Sequence, residues 1–189
     1  MNTILLIPTG EGVGLTSACL GMIYALDCNG IKAGFLKPFS QSPQHTRDGT
    51  TALFEHLFQG KTATPIAHKK LSQLMALGET DELLEEAVSL HREVARNYDL
   101  IIVEGLMPNS EDHFVNEMNA CLAQALDAKV VLVSTADIQN PRKTVEKIEA
   151  NLRQFGGATS TRTAGVLFMR TKGLPEESAQ IPVTMDPSL

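Results

Sequence analysis

Ile4-Leu5-Leu6-Ile7-Pro8-Thr9-Gly10-Glu11-Gly12-Val13-Gly14-Leu15-Thr16-Ser17 is the most informative stretch of the chain. Ile4 to Ile7 form a continuous apolar run, not an alternating one, which is the pattern of a strand buried on both faces of a parallel sheet. A glycine-rich turn follows. From Thr16 to Asp27 the apolar residues Ala18, Leu20, Met22, Ile23, Ala25 and Leu26 predict a largely buried helix, closed by Asn29-Gly30. In such a strand, turn and helix unit, backbone N–H groups of the turn can wrap phosphate oxygens while the helix dipole points at them.

The same pattern recurs along the chain. Gly34-Phe35-Leu36, Leu100-Ile101-Ile102-Val103, Val130-Val131-Leu132-Val133 and Gly165-Val166-Leu167-Phe168 are short buried-strand candidates separated by helix-length sequence. Helices are predicted over Asp81–Tyr98, where Leu84, Ala87, Val88, His91, Val94, Ala95 and Tyr98 recur at three- and four-residue steps, and over Phe114–Leu126. Another runs from Pro141 to Phe155, with Pro141 as a first-turn residue and Gly156-Gly157 as its stop. Strands alternating with helices predict an α/β fold with a mostly parallel sheet flanked by helices, in a single domain over residues 1–172. Ser42 to Asp48 reads as an exposed loop after the second strand. Residues 173–189, with Pro175, Pro182 and Pro187, read as a tail or linker toward a further C-terminal region, because Ile181-Pro182-Val183 begins a strand that the chain does not finish.

Composition removes several function classes. The chain has 189 residues, 43% hydrophobic and 20% charged, with a formal net charge of -6, so no disulfide or metal staple is needed for a stable core. Ile4 to Ile7 is too short for a membrane span and lacks the basic segment of a signal peptide, so a cytoplasmic protein is expected. A pI near 5.3, no Trp and 5% aromatic residues leave neither the positive field nor the stacking surfaces of a nucleic-acid binder. Cys19, Cys28 and Cys121 lie at no metal-ligand spacing and read as buried small hydrophobes. His45, His56, His68, His91 and His113 show no ligand or nucleophile pairing and receive no catalytic role.

The glycine turn is not a dinucleotide fingerprint, since Ser17 stands where the third glycine belongs and Lys37, not an acid, ends the second strand. Against the phosphate-loop pattern, Gly14-x-Thr16 fits the end, while Leu15 occupies the place of the lysine that reaches the outer phosphates. A charged hydrogen bond is worth about 1.5 to 3 kcal/mol, so its loss weakens nucleotide binding roughly ten- to a hundredfold unless another cation compensates. The predicted phosphate-binding segment comprises Thr9, Gly10, Gly12, Val13, Gly14, Leu15, Thr16 and Ser17. Lys37 is placed to return charge from the neighbouring strand end, and Thr16, Asp48 and Glu104 are the candidates to hold magnesium. Glu104, an acid that abruptly ends an apolar strand, is the stronger of the two carboxylates. The alternative is a turn whose glycines only permit close packing.

Leu5-Leu6-Ile7-Pro8-Thr9-Gly10, Val13-Gly14-Leu15-Thr16-Ser17, Leu36-Lys37-Pro38, Val103-Glu104-Gly105-Leu106-Met107-Pro108 and Phe155-Gly156-Gly157-Ala158 together resemble the amino-terminal domain of long-form bacterial phosphate acetyltransferases. That domain is similar to dethiobiotin synthetase and the cobyrinic acid synthases, a branch of the P-loop NTPases. The resemblance implies a regulatory and oligomer-supporting domain that does not transfer acetyl groups by itself, partnered by a C-terminal transacetylase domain. It also implies a site for ATP or another nucleotide with Mg2+, or another small effector, with Pro8 and Leu15 departing from the loop's first glycine and its lysine. The second lysine falls on Lys37, the magnesium carboxylates on Asp48 and Glu104, and the base-reading asparagine on Met169. The rival readings are an active ATP-dependent enzyme of the dethiobiotin synthetase kind and a nucleotide-blind interaction module.

Overall fold

The fold, taken from a computed structural model, is described for residues 2–41, 48–108, 114–137 and 139–170. The chain builds β1 (Asn2–Pro8), α1 (Leu15–Cys28), β2 (Ala33–Leu36), α2 (Gly49–Phe58), α3 (His68–Leu77), α4 (Thr80–Ala95), β3 (Leu100–Glu104), α5 (Val115–Ala125), β4 (Lys129–Thr135), α6 (Pro141–Leu152) and β5 (Thr163–Met169). A short 3-10 turn, Arg153–Phe155, extends α6. The continuous apolar runs become strands because both faces of the sheet are covered, so alternation would leave polar groups in the core. The sheet order is β2-β3-β1-β4-β5 and every pairing is parallel.

One face of the sheet packs Leu6, Phe35, Ile102 and Val133 against α1 and α2. The other packs Leu5, Ile101, Val103 and Leu132 against α3, α4, α5 and the end of α6. β1 lies at the centre, so Leu5 and Leu6 are wholly enclosed. β5 forms an edge and most of its residues stay half-buried.

The five strands fall where the apolar runs predict them, and the structure corrects several finer expectations. α1 is not largely buried: Leu15, Ala18, Cys19, Ile23 and Leu26 pack inward, while Tyr24 and Ala25 face outward on the opposite side of the 3.6-residue period. α4 stops at Ala95, and Tyr98 leaves it to lie over Gly34 and exchange hydrogen bonds with the Lys61 backbone. Its fully enclosed leucine is Leu83, with Leu84 at the margin. Cys28 is exposed at the end of α1, so only Cys19 is a fully buried thiol. The Ser42–Asp48 loop and the 173–189 tail lie outside the described residues, as do His45 and His113, with Asp48 the one exception. Among the described residues no helix is long and apolar enough to cross a membrane.

Candidate functional site

The carboxyl ends of β1, β2 and β3 open onto one crevice, the usual position of a site in a parallel α/β sheet. The turn between β1 and α1 is pinned from below. Thr9 donates its backbone N–H to Val133 O at 2.9 Å and its hydroxyl to Ser134 Oγ at 2.9 Å, which fastens the turn to β4. Gly12 and Gly14 then adopt left-handed backbone, φ 65° and 89°, which explains glycine at both positions. Gly14 caps α1, and Leu15 enters the core at 2% exposure. At the lysine position of a phosphate loop the chain therefore turns an apolar side chain inward.

The charge lies across the crevice, where Lys37 directly follows β2. Its Nζ sits 2.8 Å from Glu104 Oε1 and 3.0 Å from Asp48 Oδ2. Asp48 and Glu104 are 8% and 5% exposed. Asp48 is not a solvated loop residue: it is the N-cap of α2, accepting from the Thr50 and Thr51 N–H groups at 3.1 and 3.2 Å. Thr50 links the carboxylates to the glycine turn, because its hydroxyl donates to Glu104 Oε1 at 3.4 Å and meets Thr16 Oγ1 at 3.2 Å. Thr16, Lys37, Asp48 and Glu104 are thus one connected cluster. Glu104 Oε2 is buried and has no hydrogen-bond partner.

Burial pushes the Glu104 carboxyl above the usual carboxylate range, with Lys37 pulling against it. Burial also pulls Lys37 down, but the Glu104 and Asp48 carboxylates outweigh it and hold the ammonium above its ordinary value. Burial raises the neighbouring Cys19 thiol well above its usual range, so Cys19 is an inert core residue.

An open cleft of about 520 Å³ joins this cluster to Glu11, Gly12 and Leu15. Its far wall, residues 105–108, is clamped from two sides. Asn119 accepts from Leu106 N–H and donates to Leu106 O, both at 2.9 Å. Gln41 accepts from Met107 N–H at 2.7 Å and donates to Met107 O at 2.8 Å. Thr50, Gln41 and Asn119 are site residues that sequence reasoning missed. Only Asn119 carried a signal, as an amide among apolar residues of a predicted helix. Ser17 and Gly12 are exposed at the turn, Val13 is buried beneath it, and Met169 packs against Gly14 from the β5 side.

Two carboxylates and a threonine hydroxyl are hard oxygen donors of the kind magnesium takes. The orphaned Glu104 Oε2 leaves one such donor unused, so the donor set fits a small divalent cation. The cation that the cluster contains is the ammonium of Lys37, which already touches both carboxylates. Among the described residues no group of three or more His, Cys, Asp or Glu side chains forms a separate metal cluster.

A profile of the AAA domain family matches residues 2–183. The phosphate acetyltransferase of Acinetobacter baylyi is 77% identical over 189 residues, which is all of this chain and 26% of that protein. That of Haemophilus influenzae is 35% identical over 181 residues, 95% of this chain and 26% of the relative. The chain therefore spans about a quarter of the length of the curated relatives it matches, in their N-terminal region. The signal recognition particle 54 kDa protein of Aeropyrum pernix, solved with GDP, superposes with a TM-score of 0.56 at 16% identity, over 81% of this chain and 33% of that one. At that identity the likeness shows the fold, a P-loop NTPase sheet.

Proposed function

The chain belongs to the AAA domain family, a P-loop fold, and on that premise we propose that it is the N-terminal regulatory domain of a phosphate acetyltransferase. In this reading it binds a nucleotide or another phosphate-bearing effector without turning it over, and supports a homo-oligomer. The acetyl transfer between coenzyme A and phosphate belongs to a C-terminal transacetylase domain. The observation that carries the reading is the pair Leu15 and Lys37: the loop lysine is replaced by a buried leucine, and the Lys37 ammonium is held by Asp48 and Glu104. Phosphoryl transfer depends on positive charge at the transferring group, so this arrangement favours holding a phosphate over transferring it. The active-enzyme alternative is disfavoured by the same leucine and by Met169, which can stack on a base but offers no paired hydrogen bonds to read one.

Thr9 to Ser17 supply the phosphate turn. Thr16, Asp48 and Glu104 are the residues that would hold magnesium, which would bring positive charge to phosphate oxygens. Lys37 pairs with both carboxylates in the absence of ligand. It can turn its charge to a phosphate once another cation satisfies Asp48 and Glu104. The orphaned Glu104 Oε2 supports a cleft built for a ligand over a turn that is merely structural.

Calorimetric titration of the chain with ATP, ADP, NADH and acetyl-CoA, each with and without magnesium, tests the reading. Saturable binding weakened by Lys37→Ala is expected for one or more of these. Glu104→Ala should abolish any magnesium dependence. Silence at millimolar ligand would leave a nucleotide-blind interaction module in its place.

A further inference from the structure

A second lysine stands at the glycine turn, on the side away from the carboxylates. Lys147, on the second turn of α6, extends its side chain to Gly10. A Cβ built on Gly10 would lie 2.9 Å from Lys147 Nζ and 3.4 Å from its Cε. The ammonium therefore rests directly on the backbone of the turn, in space that any side chain at position 10 would take. Among the described residues no carboxylate lies within ion-pair distance of Lys147 Nζ, in contrast to Lys37 with its two. Lys147 is an uncommitted positive charge beside a turn whose own lysine position holds Leu15.

We infer that Lys147 is a phosphate-binding residue of this chain, supplying from α6 the charge that Leu15 does not. The inference rests on the effector reading above and names a residue of that same site. Three observations converge on it. Leu15 is buried and cannot contribute charge. Lys37 is held by Asp48 and Glu104, so the cluster around it carries a net negative charge while both acids are ionised and cannot by itself attract an anion. Lys147 is the remaining ammonium shown against the turn, on an exposed stem long enough to shift toward a ligand. The cleft on the carboxylate side of the turn is lined by Glu11, Gly12 and Glu104, and the Glu104 Oε2 atom is buried and unpartnered. The ligand class is an anion bearing at least one phosphate. The backbone of the turn sets its position, and Lys147 and Lys37 flank it from opposite sides.

The test is calorimetric titration of the full chain with ATP and, separately, inorganic pyrophosphate. Lys147→Ala should weaken both about tenfold, the usual value of one charged hydrogen bond, with no change in thermal stability. Lys147→Arg should keep most of the affinity. Gly10→Ala, which displaces the ammonium without removing it, should fall between. If Lys147→Ala binds both probes as tightly as the parent chain does, Lys147 has no part in the site. If the parent chain binds neither probe, the effector reading itself is wrong and the assignment of Lys147 falls with it.

Discussion

The two flanks of the glycine turn are built on opposite principles. Toward β2 and β3, Lys37, Asp48, Glu104, Thr50 and Thr16 are cross-linked, with one ammonium shared between two buried carboxylates. Toward β4 and β5, Lys147 lies over Gly10 and Met169 against Gly14, and among the described residues Lys147 has no ion-pair partner. The first flank has its charges paired internally, so its residues contribute to stability and to the shape of the crevice. The second has an ammonium with no obligation to the fold. Charge near a glycine turn is therefore no measure of charge available to a ligand; the partners decide.

The comparison is most exposed to failure at Lys37. Lys37→Met leaves two buried carboxylates facing each other without a counter-charge, and should cost about 3 kcal/mol in urea denaturation. Adding Glu104→Gln and Asp48→Asn to that variant should recover most of the loss. Lys147→Ala should move stability by less than about 0.5 kcal/mol. Equal effects of the two lysines on stability would erase the distinction between the flanks.

The glycines offer the next contrast. A Cβ on Gly105 meets the Leu6 carbonyl oxygen at 2.9 Å and Asn119 Oδ1 at 3.0 Å, neither of which can yield easily. Gly105→Ala should cost roughly 2 kcal/mol. Gly10→Ala, which meets only the flexible end of Lys147, should leave the denaturation midpoint almost unchanged.

Met169 sharpens the comparison on the ligand side. The parent chain should bind ATP and GTP within about threefold of each other, because a thioether offers no hydrogen-bond pattern to a base. Met169→Asn should separate the two, measured by competition titration.

The smallest effect concerns pH, far from the turn. His91 shares a 3.0 Å hydrogen bond with buried Thr3, and burial lowers its pKa from the ordinary value of 6.5. A depressed histidine binds fewer protons folded than unfolded, so stability falls as pH drops through 6.5 toward the lower folded value. His91→Gln should flatten that part of the stability profile without altering the plateau at higher pH.

Much of this architecture was legible in the residues. The apolar runs located all five strands because a doubly covered parallel sheet leaves no polar face to blur the pattern. Glu104 stood out for the same reason, as an acid ending such a run. α2 and α3 were not foreseen: each is ten residues long, with few buried positions, and so weak in periodicity. The Lys37, Asp48 and Glu104 residues were each singled out, but as separate ligands for phosphate and metal. Their mutual pairing depends on strand order, since β2 and β3 are neighbours only because β3 is inserted between β2 and β1. Lys147 carried no signal, for a lysine on the polar face of a helix has nothing in its local sequence to mark what it reaches.

The central position of β1 also bears on how the chain is made. β1 leaves the ribosome well before its two neighbours, β3, beginning at Leu100, and β4, beginning at Lys129. Until both have been synthesised, Ile4 to Ile7 remain an apolar ribbon with open edges on either side. A nascent chain in that state relies on α1 for cover, and Cys19, Ile23 and Leu26 are the residues able to give it. Substitutions on that face of α1 should thus lower soluble yield more than they lower the stability of the finished protein.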